Sequence, residues 1–341
     1  MTIDVHAHYI PQSLISTARE QGSKMGVQVI DAAGVAPALE FSYGFKVRPF
    51  FPRLIETAAQ RIAWLDSQRL DRQFVATWPD IYGYGLPREH CTAWHRVLND
   101  TLAEWCADNA ARMTFVASVP LPDADDAAAE LERAARLGAV AVMVSANIEG
   151  KNIGELPLDP LWARAAQLQL PVMIHPMASA PFQRAAKFGL VQSVQYTFDT
   201  TLGVGSLIFS GVLDRFPNLT LVLSHGGGAY PYLAGRFDIM HARMDKAAQA
   251  DVAQKPPSAY APLMVYDTIV HAPQPLKFLA ELVGLDRLVL GTDYSFPPAD
   301  MSPLESLRTA GFSEAEIETI AETNPQRLFP RLGSKFTRVR K

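Results

Sequence analysis

TIDVHAH, at residues 2–8, has the pattern of a short apolar strand that ends in two histidines one residue apart. Side chains on a strand repeat every second residue, so His6 and His8 point to the same side. Two imidazoles that converge at a strand end supply half of a binding site for a first-row metal ion. Two histidines near the start of a chain can also be exposed to solvent and bind nothing. A motif this short does not by itself distinguish the two cases. The stretch therefore predicts a metal site on condition that other strands supply the missing ligands.

Length and composition describe an ordinary globular protein. The chain has 341 residues, of which 48% are hydrophobic and 19% are charged, so it can bury a large core. Its net charge of -4 offers no basic surface for nucleic acid or anionic lipid. No apolar run approaches the ~18 residues of a membrane span, and we expect no signal peptide because the first strand candidate begins at residue 2. Cys91 and Cys106 form no CxxC motif and no disulfide framework, which fits a reducing compartment. From the charge, the apolar run lengths and the cysteines together, we predict a cytoplasmic protein that binds neither nucleic acid nor membrane.

Eight apolar stretches, each followed by a helical pattern, organise the chain. The strand candidates are residues 2–8, 71–77, 114–119, 139–144, 171–175, 219–225, 263–267 and 287–293. The helix candidates are residues 54–67, 87–112, 123–137, 159–169, 200–214, 230–246, 273–283 and 313–328. Strict alternation predicts an α/β fold with a parallel sheet, and eight units predict a closed (β/α)8 TIM barrel. The alternative, a doubly wound open sheet, would need a glycine-rich turn after the first strand, where this chain has His-Ala-His.

Residues 9–52 differ from the rest of the chain because their periodicity is weak and they contain several turn residues. We expect a long loop there, with room for a small hairpin. A long insert of this kind in a compact domain is usually a functional lid or flap. Nothing in the sequence indicates a second domain or an internal repeat. We therefore predict that residues 1–341 form one domain with an N-terminal flap inserted at 9–52.

Four of the strand candidates end in residues that can bind a metal ion. His6 and His8 end the first, His175 the fifth, His225 the sixth and Asp293 the eighth. In a TIM barrel the active site lies at the C-terminal ends of the strands, so these five groups would converge in one barrel mouth. A single strand-end histidine is more often a satisfied core residue, but five convergent groups are poorly explained in that way. Three imidazoles and a carboxylate suit zinc, and they also accept manganese, iron or cobalt.

The motifs around these residues resemble those of the amidohydrolase superfamily. They are Asp4-Val5-His6-Ala7-His8, Ile174-His175-Pro176, Ser224-His225-Gly226-Gly227-Gly228-Ala229 and Leu290-Gly291-Thr292-Asp293-Tyr294. The resemblance is closest to the decarboxylase branch, typified by aminocarboxymuconate semialdehyde decarboxylase, and it covers most of the chain. The stretch LIFSGVLDRFP at 207–217 and Gly235-Arg236 are also similar to that branch. The resemblance implies a metal-dependent carbon–carbon lyase, specifically a carboxy-lyase.

The resemblance also implies roles for individual residues. His6, His8, His175 and Asp293 would hold one divalent metal ion, zinc by default. His225 would lie outside the metal ligands and act as general base on a metal-bound water, whose pKa can fall to ~7. Two routes of decarboxylation stay open. In the first, the metal-bound water adds as hydroxide to a conjugated substrate. In the second, the metal chelates the substrate's carboxylate and neighbouring hydroxyl. In this second route, Asp293 also protonates the ring carbon that carries the carboxylate.

Arg48 and Arg236 are the candidates for binding the substrate's carboxylate, because a guanidinium matches the carboxylate fork. Each of them could instead form a surface ion pair. The resemblance implies that Arg236 reaches the site of a neighbouring subunit, and it therefore predicts a homodimer. His271, after the seventh strand, is a candidate for the pocket lining, and Asn147 is a weaker one.

The expected activity is metal-dependent, non-oxidative decarboxylation of a hydroxylated aromatic or ring-opened unsaturated carboxylic acid. The alternative is a hydrolase or hydratase of the same superfamily, opening a lactone or a cyclic amide. Such hydrolases carry a carboxylated lysine after the fourth strand, where this chain has no lysine before Lys151. The pocket covering differs from that of the decarboxylase type, which has aromatic residues after the His-Pro pair. This chain has Met177 and Phe188-Gly189 in that segment.

Overall fold

Eight parallel strands form a barrel in the computed structural model, which describes residues 1–178, 183–244 and 253–333. The described ranges contain these eight strands and two separate two-stranded pairs, which in chain order are β1 (Ile3–His8), β2 (Val27–Ala32), β3 (Val35–Phe41), β4 (Arg72–Ala76), β5 (Met113–Ala117), β6 (Ala141–Ser145), β7 (Asn147–Ile148), β8 (Lys151–Asn152), β9 (Val172–His175), β10 (Leu221–Leu223), β11 (Val265–Asp267) and β12 (Leu288–Val289). The barrel order is β1-β4-β5-β6-β9-β10-β11-β12. Every neighbouring pair in that order is parallel.

The last strand closes the barrel against the first. The backbone N–H of Val5 donates to the carbonyl of Leu290 at 2.9 Å, and that of Asp293 donates to the carbonyl of His6 at 2.9 Å. All eight strand candidates therefore lie in one closed barrel, and the prediction of a (β/α)8 fold is confirmed.

Helices connect the strands on the outside of the barrel. Those in the described ranges are α1 (Gln12–Gln21), α2 (Ala58–Ser67), α3 (Arg88–Asp108), α4 (Ala124–Arg136), α5 (Asp159–Leu168), α6 (Tyr196–Phe209), α7 (Val212–Arg215), α8 (Tyr230–Arg243), α9 (Pro273–Val283), α10 (Pro303–Thr309), α11 (Glu314–Glu318) and α12 (Asn324–Leu328). None of the helices that the structure describes has the length and apolarity needed to cross a bilayer.

The N-terminal insert is more regular than the sequence indicates. The small hairpin is present as the antiparallel pair β2 and β3. The expectation of a loop is wrong for residues 12–21, which form α1. Only Leu14, Ile15 and Ala18 of this helix are buried, so its apolar stripe is short and its periodicity is weak.

Two helix candidates are interrupted. The helix expected at 200–214 begins earlier, at Tyr196, and breaks at Gly211, where φ is +69°. A glycine adopts this left-handed conformation without the Cβ clash that other residues suffer, so it separates α6 from α7. The helix expected at 313–328 is interrupted by a π-helical turn at Thr319–Thr323, between α11 and α12. The helix expected at 230–246 ends at Arg243, and residues 245 and 246 lie outside the described ranges.

Apolar strand residues pack together at the end of the barrel opposite the histidines. Val116, Met173 and Val265 belong to this cluster, which also contains Phe329. The rings of Phe74 and Phe329 meet edge to face at 4.9 Å, so the chain that follows α12 covers this end. The C-terminal ends of the strands and the loops that follow them are consequently left to form the functional site.

Candidate metal centre and active site

The metal-capable residues expected at the strand ends meet in one place. The ring centroids of His6, His8 and His175 lie 5.0 to 5.1 Å from one another. Asp293 places its Oδ1 atom 3.2 Å from His8 Nε2 and 3.5 Å from His6 Nε2. All four side chains are buried. The structure therefore brings these four side chains together in the barrel mouth.

His225 belongs to the same cluster but faces the solvent side of it. Its Nε2 atom lies 3.5 Å from Asp293 Oδ2, and its ring centroid lies 5.1 Å from that of His175. Its side chain is 13% exposed, whereas that of His6 is fully buried. One ligand atom from each of His6, His175, His225 and Asp293 falls within 4.8 Å of the others. His225 can therefore meet a molecule in the barrel mouth while it contacts Asp293.

Oxygen acceptors orient three of the imidazoles. The Nδ1 pairs are His6 with Asp267 Oδ2 at 2.7 Å, His175 with the Pro176 carbonyl at 2.6 Å, and His8 with the Thr77 carbonyl at 3.4 Å. A carbonyl or carboxylate oxygen only accepts, so each Nδ1 carries the proton and donates it. The Nε2 lone pairs are then left facing one another, which is the arrangement found at metal-binding histidines.

This donor set fits a divalent metal ion. His6 Nε2 and His8 Nε2 lie only 3.1 Å apart, so two lone pairs face each other unless a cation lies near both. His175 Nε2 is buried and has no hydrogen-bond partner among the described residues. Burial, together with the neighbouring histidine charges, holds the pKa of His175 well below its usual value, so the ring is neutral and can ligate. Neutral imidazoles with a buried carboxylate form a typical transition-metal site.

Asp267, at the end of β11, connects two parts of the site, although no sequence motif marks it as a site residue. Its carboxylate accepts the Nδ1 proton of His6 and also the backbone N–H groups of His225, at 2.9 Å, and Gly226, at 2.8 Å. Burial alone would raise the pKa of Asp267, but the hydrogen bond and charge of His6 outweigh it and lower that pKa. The available signal was its place at the end of the seventh strand candidate.

A buried polar network fixes the strand that carries His6 and His8. Asp4 accepts hydrogen bonds from the hydroxyl of Thr292 at 2.6 Å and from the amide of Gln73 at 2.8 Å. Arg61, on α2, donates to Gln73 Oε1 and to the His8 carbonyl, each at 2.9 Å. Burial raises the pKa of Asp4 to about 6, although both of its side-chain partners act in the opposite direction. The network joins α2, β1, β4 and the end of the eighth strand below the site.

A cavity of about 600 Å³ opens over His175, His225 and Asp293. Its apolar walls include Trp78, Pro176, Ile269, Val270, Phe296 and Pro298, and its polar groups include Arg48, Asp80, Gln192, Ser193, Tyr196 and Thr197. Phe296 contacts both His8 and Trp78, with ring centroids 4.8 and 5.6 Å away. A volume of this size accommodates a small organic ligand. The walls suit a planar or unsaturated molecule, because aromatic rings pack well against flat faces.

Of the remaining predicted site residues, two line the cavity and two do not. Arg48 and His271 line the cavity. Arg236 is exposed on α8 and is not among the residues that line the cavity of its own chain. Asn147 also lies outside the lining, and its amide donates to both carboxylate oxygens of Asp199, at 2.8 and 2.9 Å.

The aromatic walls of the cavity come from residues outside the segment that follows His175-Pro176 in the sequence, except for Tyr196 at the start of α6. Met177 is buried and is not among the residues that line the cavity, and Phe188 is 93% exposed. Trp78, Tyr196 and Phe296 supply the aromatic surface instead. They lie in or beside loops and at a helix start, where no periodicity signals that a side chain faces a site.

Comparison with known protein families and structures gives concordant results. The family model described as Amidohydrolase matches residues 3–331. A 2-amino-3-carboxymuconate-6-semialdehyde decarboxylase from Dictyostelium discoideum is 31% identical over 269 residues, which cover 77% of this chain and 74% of that protein. A gamma-resorcylate decarboxylase from Rhizobium sp. is 26% identical over 296 residues, covering 81% of this chain and 88% of that protein.

A solved structure has the same fold. It is a 5-carboxyvanillate decarboxylase from Novosphingobium aromaticivorans, complexed with manganese and 4-hydroxy-3-methoxy-5-nitrobenzoic acid. The two structures superpose with a TM-score of 0.77 at 19% identity, over 97% of this chain and 96% of the other. The family match spans nearly all of the described residues, and the Dictyostelium relative covers two thirds or more of both proteins. The chain therefore belongs to the amidohydrolase family, in its decarboxylase branch.

Proposed function

We propose that the protein is a metal-dependent, non-oxidative decarboxylase of a hydroxylated aromatic or ring-opened unsaturated carboxylic acid. The observation that carries this proposal is the set of three imidazoles, each anchored at Nδ1, which meets Asp293 at the floor of an aromatic-walled cavity. By their names, the relatives described above decarboxylate acids of these two kinds. The reaction releases carbon dioxide and places a proton on the carbon that carried it, so it consumes neither oxygen nor a nicotinamide.

His6, His8, His175 and Asp293 hold the metal ion in this proposal. When bound, the ion acts as a Lewis acid that withdraws electrons from the oxygens of the substrate. We propose zinc as the resident ion because three imidazole nitrogens and one carboxylate form a zinc donor set. Manganese, iron and cobalt suit the same ligands, and elemental analysis of protein purified without added metal distinguishes them.

His225 and Asp293 are the proposed donors of the proton that replaces the carboxylate on carbon. His225 Nε2 lies 3.5 Å from Asp293 Oδ2, and the imidazole is partly open to the cavity. The pair can hold a proton between these two atoms and deliver it to the carbon that loses carbon dioxide. The Asp267 carboxylate holds the backbone N–H of His225, which fixes the position of this residue relative to the cavity.

Arg48 and His271 are the proposed contacts for the rest of the substrate. The Arg48 guanidinium packs over Phe51 at 4.4 Å and Trp78 at 5.7 Å. No carboxylate of a described residue lies within 4.0 Å of it, so it can pair with a carboxylate of the substrate. Its stacked position holds the planar head in place before the substrate arrives.

We propose a homodimer that is formed through α6 and α8. Tyr232, Arg236, Ile239 and Met240 share one exposed face of α8, since they are spaced by four, seven and eight residues. Phe198 lies on an exposed face of the adjacent α6, together with Leu202. The two helices pack through the rings of Phe209 and Phe237, at 5.8 Å. A second copy would cover this apolar surface and bring Arg236 towards the neighbouring site.

We further propose that the enzyme works in the cytoplasm on a small carboxylic acid. Cys91 and Cys106 are both free and buried, which fits a reducing compartment. Fractionation of the source cells, followed by immunodetection, would test this location directly.

The proposed activity is tested by metal analysis together with a carbon dioxide assay on a panel of hydroxybenzoates and muconate-type acids. The parent should carry one metal ion per chain and release carbon dioxide from at least one acid. His225→Ala should retain the metal and lose activity by about 10²–10⁴-fold, the usual contribution of a general acid or base. Asp293→Ala should lose both metal and activity, whereas the exposed control Asp286→Ala should lose neither. A metal-loaded parent that opens lactones or hydrates alkenes, and releases no carbon dioxide, would contradict the proposal.

A further inference from the structure

Asp80 is a buried carboxylate in the cavity that the proposed mechanism does not use. It lies in the short helical turn Pro79–Ile81, just after β4, and its residue exposure is 5%. Its Oδ1 atom accepts the backbone N–H of Ala178 at 2.9 Å. No described residue donates a hydrogen bond to its Oδ2 atom. Half of the carboxylate's capacity to accept hydrogen bonds is therefore available to a molecule in the cavity.

A structural role explains Asp80 poorly. Burial raises the pKa of Asp80 to about 6, although the Ala178 N–H and the charge of Arg48 favour the ionised form. A buried carboxylate that lacks partners destabilises the folded state. An asparagine could accept the same N–H bond without carrying that charge. A hydrogen-bond donor on a bound ligand would therefore explain why a carboxylate occupies this position.

Arg48 and Tyr196 share this part of the cavity with Asp80. The charge of Arg48 lowers the pKa of Asp80, and after burial the Asp80 charge is the largest influence on the raised pKa of Tyr196. All three side chains line the cavity. One cation, one anion and one phenol therefore line the same cavity, and none of them is a proposed metal ligand.

The Asp80 carboxylate disfavours a second carboxylate on the substrate at this position. Among the described residues that line it, Arg48 is the only arginine or lysine. The charges of Arg48 and Asp80 cancel, and a divalent ion with Asp293 and neutral histidines leaves one net positive charge. One substrate carboxylate balances that charge, and a second one placed against Asp80 would meet a like charge in a partly desolvated site. A hydroxyl group has no such disadvantage, and it can donate to Asp80 Oδ2.

We propose that Asp80 is a specificity-determining residue, which accepts a hydrogen bond from a substrate hydroxyl and selects hydroxylated monocarboxylic acids over dicarboxylic acids. The inference rests on the proposed decarboxylase function, since it assigns the substrate of that same cavity. The hydroxyl concerned is a second one, distinct from any hydroxyl that lies next to the departing carboxylate. An arginine from a second subunit would add a positive charge, but it would be present equally in the parent and in Asp80 variants.

The experiment compares matched ligands on the metal-loaded parent and on Asp80→Asn. Dissociation constants from calorimetry, and kcat/KM where turnover occurs, are measured for dihydroxybenzoates, their monomethyl ethers, salicylate and a muconate-type dicarboxylic acid. We expect the parent to prefer a dihydroxybenzoate over its methyl ether by about 10–100-fold, the range for a hydrogen bond to a charged group. In Asp80→Asn that preference should fall to within about threefold, through KM and not kcat. Binding of the dicarboxylic acid should improve by about tenfold.

Asp199→Asn is the matched control. Asp199 is also buried, with a pKa raised by burial to about 6, but it pairs with Asn147 and does not line the cavity. Its variant should keep the preference of the parent. If Asp80→Asn does not fold, Asp80→Ser replaces it in the same measurements. The preference of the parent for the hydroxyl form over the methyl ether is measured without any variant.

Two failures are distinguishable. A parent that binds dihydroxybenzoates with the hydroxyl preference, yet releases no carbon dioxide from them, refutes the decarboxylase proposal and retains the role of Asp80 in binding. A parent that binds hydroxyl and ether forms equally, or an Asp80→Asn protein that keeps the preference of the parent, overturns the inference about Asp80.

Discussion

Single residues at this site are positioned by groups that do not themselves bind the metal ion. Asp267 is the clearest case, because one carboxylate fixes the His6 ring and the backbone of His225 and Gly226. Partners of this kind set the tautomer and the direction of a ligating imidazole. The arrangement implies that the affinity for metal depends on Asp267 almost as much as on the ligands.

Asp267→Asn should weaken metal binding by about 10–100-fold, the usual effect of losing such a partner. The amide cannot supply the negative charge that favours the Nδ1–H tautomer of His6, so the Nε2 lone pair is less available. Competition with a coloured chelator measures the affinity, and the exposed Asp286→Asn is the control. An unchanged affinity in Asp267→Asn would show that His6 is held without this carboxylate.

Asp80 should reduce the stability of the folded protein at neutral pH. Its folded pKa of about 6 lies above the ordinary 3.8, so the folded state binds the proton more tightly. The stability gained from this proton is complete below pH 3.8 and is lost as the pH rises through about 6. Asp80→Asn carries no such charge. Its unfolding free energy at pH 8 should therefore exceed that of the parent by about 2–3 kcal/mol, from ~2 pKa units at 1.36 kcal/mol each.

Denaturant unfolding of metal-stripped parent and variant, at pH 8 and near pH 4, measures that difference. We expect it to be largest at pH 8 and to disappear near pH 4. An Asp80→Asn protein less stable than the parent at pH 8 would mean that the ionised carboxylate is well paired in the folded state.

Secondary-structure elements were predictable to the extent that their burial is periodic or continuous. The strands are buried on both faces, so they appear in the sequence as unbroken apolar runs. The alternation of side chains along β1 correctly placed His6 and His8 together. The helix α1 was missed because it buries only three residues. Trp78 and Asp80 were missed because a turn after a strand carries no repeating pattern, and only the folded barrel turns it towards the site.

Helix α2 contributes a buried arginine to the base of the metal site. Arg61 is fully buried between the rings of Tyr9 and Tyr294, at 4.8 and 4.9 Å, and it forms an ion pair with Glu56 at 3.1 Å. It also donates to the carbonyl of His8 at 2.9 Å. Its loss should therefore affect both the stability of the barrel and the strand that carries two proposed ligands.

Arg61→Met should lower the free energy of unfolding by about 3–5 kcal/mol, because it leaves buried acceptors without their donor and the Glu56 carboxylate without its cation. Chemical denaturation measures the loss. Arg136→Met, which removes an exposed pair with Glu132, should change stability by less than about 1 kcal/mol. Equal effects of the two substitutions would mean that the buried network contributes no more than a surface ion pair.

The whole molecule presents an exposed apolar surface on α6 and α8 that the proposed homodimer would bury. Met240→Glu should dissociate the dimer, since it places a charge where apolar side chains pack. Sedimentation equilibrium at micromolar concentration would show the mass falling to that of one chain. Phe278→Glu, on α9, alters a similarly exposed apolar side chain elsewhere and should leave the dimer intact. A parent protein that sediments as a monomer would contradict this assembly.

The central claim, that the protein exchanges a carboxylate for a proton, is tested most directly by isotopes. The metal-loaded enzyme is incubated in D2O, without oxygen or nicotinamide, with an accepted acid whose carboxyl carbon is ¹³C. Mass spectrometry and NMR should then find ¹³CO2 and a product that carries one deuterium at the carbon that held the carboxylate. A product that retains the ¹³C carboxylate, and has instead gained the mass of water, would contradict the account and identify the protein as a hydratase or hydrolase.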